Sequence, residues 1–304
     1  MPEHSPGDGT SRLAPAPKQA SRRRGWYGAS GLRGTESGSM LFSMPWFSRR
    51  TAVSDAHWAQ SLKTHPILAE LGHEEAARLR ALAEQFLASM QIRFAGKLTT
   101  TESRRTSLAL LACLPVLNLG LRRYRGWRTV LLVPQDYESP YLDIDEAGVV
   151  HEGVDSASGE FLALGTVVFS LRDVAASGKG GGYNVVVHEA AHVLDFAGGS
   201  LDGAPPLHED MDAARWAEVF TAAYEDLQRR VLRRPRNARY RPPPFSGRDA
   251  RRGRRTAFDP YAAEAPEEFF AVASELFFEC PRRLRAEYPE VYRQLALFYR
   301  QDRV

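Results

Sequence analysis

Residues 184–196, NVVVHEAAHVLDF, set two histidines four positions apart inside an apolar run that contains neither proline nor glycine. The pattern predicts a helix over Asn184–Phe196. On that helix His188 and His192 project from one face, about a turn apart, so that both imidazoles can reach a single metal ion. Glu189 neighbours the first histidine and can face the open coordination position, where it would take a proton from an activated water. Two imidazoles and one carboxylate with a place left for water form a typical catalytic zinc shell, so one Zn2+ per chain is expected.

The third ligand has to come from elsewhere in the chain. A metzincin would continue with glycine at position 195 and histidine at position 198; this chain has Asp195 and Gly198, which excludes that class. No histidine follows His208. A carboxylate on a later helix is therefore expected, and the acidic cluster Glu264, Glu267, Glu268 and Glu275 is where it would lie. Glu268 and Glu275, seven apart, share a helix face with apolar Ala271 and Val272, and a carboxylate on such a face needs a partner. The spacing leaves these two level. Glu264 and Glu267 read as solvent-facing or as residues of a helix first turn. Asp195, one turn past His192, is a candidate for supporting a ligand.

Along the chain, residues 1–45 are rich in Gly, Ser, Pro and Arg and read as a disordered basic leader, with a metallopeptidase domain over 46–304. A targeting peptide, or a true start at Met40 or Met44, stays open. Helices are expected at Asp55–Ala69, His73–Met90, Thr101–Tyr124, Asp210–Leu232, Ala265–Phe278 and Leu284–Tyr299. Strands are expected at Arg128–Val133, Gly148–Val154 and Leu162–Leu171. Gly178–Gly182 reads as a flexible, glycine-dense loop. The fold class is therefore α+β: a mostly helical, zincin-like domain with a small β-sheet packed on the HExxH helix.

The formal net charge of +3 conceals its distribution. Residues 1–50 carry +5, the Arg/Pro-rich stretch Arg229–Arg255 carries +11, and the rest of the chain sums to −13. Basic charge confined to a leader and to a loop or insertion over 229–256 argues against a nucleic-acid-binding face, because arginine is interleaved there with proline rather than with aromatic residues. The competing expectation is a regulatory protein whose basic loop binds nucleic acid or a transcription factor, any peptidase activity being incidental. Two isolated cysteines, Cys113 and Cys280, and the lack of any membrane-length apolar run point to a cytoplasmic protein that does not enter the membrane.

The segment Asn184–Asp195, together with Tyr261-Ala262-Ala263 and Pro266–Phe278, resembles the MtfA family of bacterial zinc-dependent peptidases, also called Mlc titration factor A. Leu114-Pro115-Val116-Leu117 and Val130–Pro134 match as well, and the resemblance covers roughly residues 46 to 300. It implies His188 and His192 as zinc ligands, Glu189 as general base and a gluzincin-type carboxylate ligand at Glu268, with Glu275 orienting a ligand. It implies a tyrosine at Tyr261 that donates a hydrogen bond to the oxyanion, and aligns a histidine with His151, which on its own pattern is an ordinary residue after a strand. It further implies peptide substrates, aminopeptidase-like and small, and links the family to the glucose repressor Mlc. The basic leader and the enlarged Arg/Pro segment depart from the family pattern.

Overall fold

The computed structural model describes residues 52–94, 101–134, 165–232 and 256–304, and the backbone pairing of the strands between 137 and 162. The chain divides into Met1–Phe47 and Ser48–Val304. The leader expected over 1–45 and most of the Arg/Pro-rich segment lie outside the described residues.

Helix α1 (Asp55–Thr64) starts where the Ser54 hydroxyl accepts the His57 N–H at 3.2 Å, and gives way to a 3-10 turn at Pro66–Glu70, so the helix expected over 55–69 is two elements. Helix α2 (His73–Ser89) turns four buried residues, Leu79, Ala83, Phe86 and Leu87, to the core. It runs into strand β1 (Gln91–Phe94), four residues too short to show a period in sequence. Helix α3 (Glu102–Cys113) is capped by Thr101 and ends before Pro115; the expected continuation to Tyr124 is instead a series of turns.

Strand β2 (Thr129–Val133) follows, then β3 (Tyr137–Ile144), β4 (Val150–Ala157), β5 (Gly159–Leu162) and β6 (Thr166–Ser170). One sheet has the order β1-β2-β6-β5, with β1, β2 and β6 parallel and β5 antiparallel to β6. β3 and β4 pair with each other as a separate antiparallel hairpin. The single strand expected over 162–171 is instead the end of β5, all of β6 and the first residue of the next helix. It breaks at Gly165, which takes φ +74°, and an added Cβ there would lie 2.0 Å from the Gly126 carbonyl oxygen.

Helix α4 (Leu171–Ala176) leads through the glycine loop to α5 (Val185–Phe196), whose first free N–H groups are met by the Asn184 side chain, which accepts from Val187 at 3.1 Å. α5 packs on β5 and β6 on one side and on α3, α4 and the later helix α7 on others, which is the predicted α+β arrangement. Helix α6 (Ala213–Leu232) and a 3-10 turn (Pro260–Ala263) precede α7 (Pro266–Glu279), α8 (Pro281–Glu287) and α9 (Pro289–Tyr299). The helix expected over 284–299 therefore breaks before Pro289, since the ring there has no N–H to continue the α8 ladder.

From Phe269 to Glu279 every residue of α7 is buried. Phe269 stacks on Phe258 at 5.0 Å, Phe270 meets Trp216 edge-on at 5.9 Å, and Phe277 and Phe278 pack on Tyr299. A helix enclosed on all sides cannot leave polar groups unpaired without cost. Ser274 accordingly donates to the Phe270 carbonyl and accepts from the Tyr299 hydroxyl. Glu275 and Glu279 also find partners, and all of them lie toward α5. Among the described residues no helix is long and apolar enough to cross a membrane.

Candidate metal centre

α5 and α7 face each other, and their facing side chains bring together most of the residues singled out from the sequence. His188 Nε2 lies 3.1 Å from His192 Nε2 and 3.1 Å from Glu268 Oε2, and His192 Nε2 lies 3.5 Å from Glu268 Oε1. Among the described residues this trio alone forms a group of three potential ligands with one atom from each within 4.8 Å of the others. Around an ion held at about 2.0–2.1 Å, tetrahedral ligand atoms stand about 3.3–3.4 Å apart, so the spacing already suits one.

The chemistry of the three atoms gives the same answer. Glu275 Oε1 lies 2.9 Å from His188 Nδ1, and a carboxylate can only accept, so the Nδ1 proton points to Glu275 and the Nε2 lone pair points into the cluster. Glu268 Oε2, buried and only 3.1 Å from that nitrogen, has no hydrogen bond of proper geometry. Lone pairs gathered this closely in a buried place call for a cation among them. Without a metal, that cation is a proton: burial alone would lower the His188 imidazole, but Glu268 and Glu275 together raise it well above its ordinary value. Burial likewise opposes ionisation of Glu268, and the two imidazoles outweigh it, holding the carboxyl well below the usual range.

Of the two carboxylates left level by spacing, then, Glu268 reaches the cluster and Glu275 stands behind it. Glu275 Oε2 also accepts the Asn184 backbone N–H at 2.5 Å, so one carboxylate ties His188 to the start of its own helix. Glu189 is 4% exposed, and burial raises its carboxyl above the ordinary range despite the nearby imidazoles. Tyr261, on the 3-10 turn before α7, sits with its ring 6.2 Å from that of His188. Burial and the negative charge of Glu268 push its phenol far up, so the hydroxyl keeps its proton at any ordinary pH.

Asp195 makes no hydrogen bond to His188, His192 or Glu268. Its Oδ2 accepts the N–H groups of Asp202 and Gly203 at 3.1 and 2.8 Å, which ties the loop after α5, and burial pushes its carboxyl up to about 6. His151 lies on β4 opposite Asp143, and its side chain falls outside the described residues.

Sequence reasoning missed Glu279. It is 5% exposed, and its two oxygens accept from the N–H groups of Gly178, Gly180 and Gly181 and from the Asn184 amide, all between 2.7 and 3.1 Å. The expected flexible loop is therefore a bound one. The signal was present in the spacing: 268, 275 and 279 form one stripe on an otherwise apolar helix, and an acid recurring there announces a buried partner.

Residues 45–300 match the family described as glucose-regulated metallo-peptidase M90. The chain belongs to that family. Proteins named Mlc titration factor A are similar to it over most of their length. The one from Edwardsiella ictaluri is 34% identical over 264 residues, covering 86% of this chain and 94% of that protein. That of Pectobacterium atrosepticum is 33% identical over 263 residues, covering 86% and 92%, and that of Yersinia enterocolitica 34% over 248 residues, covering 81% and 86%. These matches bear out the resemblance drawn from the motifs. An M90 metallo-peptidase implies a metal ion, and the His188–His192–Glu268 trio is the candidate site for it.

Proposed function

We propose that this M90 member is a zinc-dependent peptidase of gluzincin type, in which His188, His192 and Glu268 hold one zinc ion. The observation that carries the proposal is the convergence of the two Nε2 atoms and the Glu268 carboxylate, with His188 already oriented by Glu275. When bound, zinc supplies the Lewis acidity that makes water a nucleophile near neutral pH. Glu189 is the general base: buried beside both histidines, it takes the proton of the attacking water and passes it to the leaving amine. Tyr261 keeps its proton and donates to the oxygen of the peptide carbonyl as negative charge develops there.

The substrates are peptides, and the family resemblance supports small, aminopeptidase-like ones trimmed from the N-terminus. Cys113 and Cys280, which form no disulfide, support a cytoplasmic setting. The test is elemental analysis of the purified chain, paired with hydrolysis of peptides bearing free or blocked N-termini. About one zinc per wild-type chain is expected, lost in Glu268→Ala. Glu189→Gln is expected to keep the metal and lose hydrolysis by at least ~100-fold, the scale of a missing general base. A metal-free wild type after reconstitution with zinc, or full activity in Glu189→Gln, would overturn the proposal.

The name Mlc titration factor A, carried by the relatives, supports a second reading in which this chain also binds a repressor of the Mlc kind. Co-purification with such a repressor, in a Glu189→Gln background, tests it apart from catalysis.

A further inference from the structure

The segment 177–182, SGKGGG, is not used by any step above, yet it is one of the most heavily bonded stretches near the site. Gly178, Gly180 and Gly182 take φ of +74°, +70° and +83°. The intervening residues do not share this left-handed conformation, so successive N–H groups turn inward into an anion-binding concavity, or nest. The anion it holds is the chain's own Glu279. Oε1 accepts from Gly178 N at 2.8 Å and from Asn184 Nδ2 at 2.9 Å; Oε2 accepts from Gly180 N at 2.7 Å and Gly181 N at 3.1 Å. Every one of these partners is a donor, which favours the ionised carboxylate against the burial that pushes the Glu279 carboxyl up to about 7.

The loop is pinned from other sides too. Ser177 O lies 2.7 Å from His65 Nδ1, and the Ser177 hydroxyl accepts the Val185 N–H at 3.1 Å. A Cβ on Gly178 would come within 2.8 Å of the His65 Cβ, so only glycine fits. The Cys280 thiol lies 3.3 Å from the Gly180 carbonyl.

We propose that Glu279 is a positioning residue for the metal centre, acting through Asn184 and Glu275 on His188. The path is continuous: Glu279 holds the Asn184 amide, the Asn184 backbone N–H binds Glu275 Oε2 at 2.5 Å, and Glu275 Oε1 holds His188 Nδ1 at 2.9 Å. Asn184 is also the cap of α5, so its placement sets both the first turn of the motif helix and the carboxylate behind its first histidine. α7 thereby delivers one carboxylate to the metal, a second to the ligand, and a third to the loop that places the second.

This inference rests on the zinc reading, and zinc binding by the wild-type chain tests that reading separately. The decisive experiment measures zinc affinity by chelator competition in wild type, Glu279→Gln, Glu275→Gln and the double variant, with folding of each followed by circular dichroism. Glu279→Gln presents an NH2 group to N–H donors without changing size. A residue supporting a ligand is expected to lower affinity by about tenfold when removed. In the Glu275→Gln background the same change is expected to cost less than about twofold, because the path is already cut. Equal affinity in Glu279→Gln and wild type, or a full tenfold loss in both backgrounds, overturns the inference while leaving the zinc site intact. Should Glu279→Gln fold poorly, Asn184→Ser makes the same test: it keeps a side-chain oxygen able to cap Val187 and removes the amide donor to Glu279 without adding a charge.

Discussion

Replacing Glu275 with glutamine keeps the side chain's shape, turns one acceptor oxygen into an NH2 donor and removes the negative charge beside His188. The carboxylate is 6% exposed, and each of its oxygens serves one donor, His188 Nδ1 at 2.9 Å and Asn184 N at 2.5 Å. Glutamine has the same shape but a single acceptor oxygen. If that oxygen stays with His188, the buried Asn184 N–H faces an NH2 group and loses about 1–3 kcal/mol. If it turns to Asn184, the NH2 group drives His188 to the tautomer with its proton on Nε2, the nitrogen that faces the cluster. Either outcome weakens the proposed zinc site, by about 10–100-fold or roughly 1.4–2.7 kcal/mol. The metal-free protein should unfold about 2–12 °C lower, from a loss of about 1–3 kcal/mol in a domain of this size. Domains typically hold about 5–15 kcal/mol, so the variant should stay folded and measurable. Chelator competition gives the affinity and a thermal melt in the presence of chelator gives the stability. A Glu275→Gln chain that binds zinc within about twofold of wild type would refute the role of this carboxylate in fixing His188.

Two further outcomes are expected. In the metal-free protein His188 is raised well above 6.5 by its two carboxylates, so stability from that charge is fully present below about pH 6.5 and is lost as pH rises through the higher folded value. Zinc must displace that proton, so affinity should rise about tenfold per pH unit below the folded value, and calorimetry in buffers of different ionisation enthalpy should detect about one proton released; no buffer dependence would mean that His188 is neutral in the empty site. Gly165→Ala puts a side chain at φ +74° against the Gly126 carbonyl, which itself leads into β2. It should destabilise by about 2 kcal/mol or more, seen as a fall of roughly 4–8 °C in the unfolding midpoint, and an unchanged midpoint would show that the turn can reshape.

Spacing along one helix is set by covalent geometry and the hydrogen-bond ladder, which is why His188, Glu189 and His192 could be read as a metal-binding face before any tertiary contact was known. The same reasoning narrowed the third ligand to one helix, because an acid on an apolar stripe must meet a partner. It went no further, since Glu268 and Glu275 satisfy that rule equally. The strands were legible only where they ran long enough to show β-branched, apolar character, as at Thr129–Val133. Gln91–Phe94, four residues long, was missed because its identity as a strand comes from pairing with Thr129–Leu132 about forty positions later. Leu162–Leu171 read as one strand because its apolar character continues through the break that the close approach of Gly126 imposes.

What the sequence by itself determined, then, is the motif helix, the placing of His188, Glu189 and His192 on it, and a short list of acids able to complete a metal site. What residue spacing left level and the tertiary structure separated is the division of labour among those acids: Glu268 in the cluster and Glu275 behind His188, as the family resemblance implied, and Glu279 in the glycine nest, which nothing in the sequence reading had singled out. The physical reason is that positions 268, 275 and 279 are equivalent on the helix that carries them. They become different only when α7 is laid against α5 at one register, with the loop before α5 closed around its end.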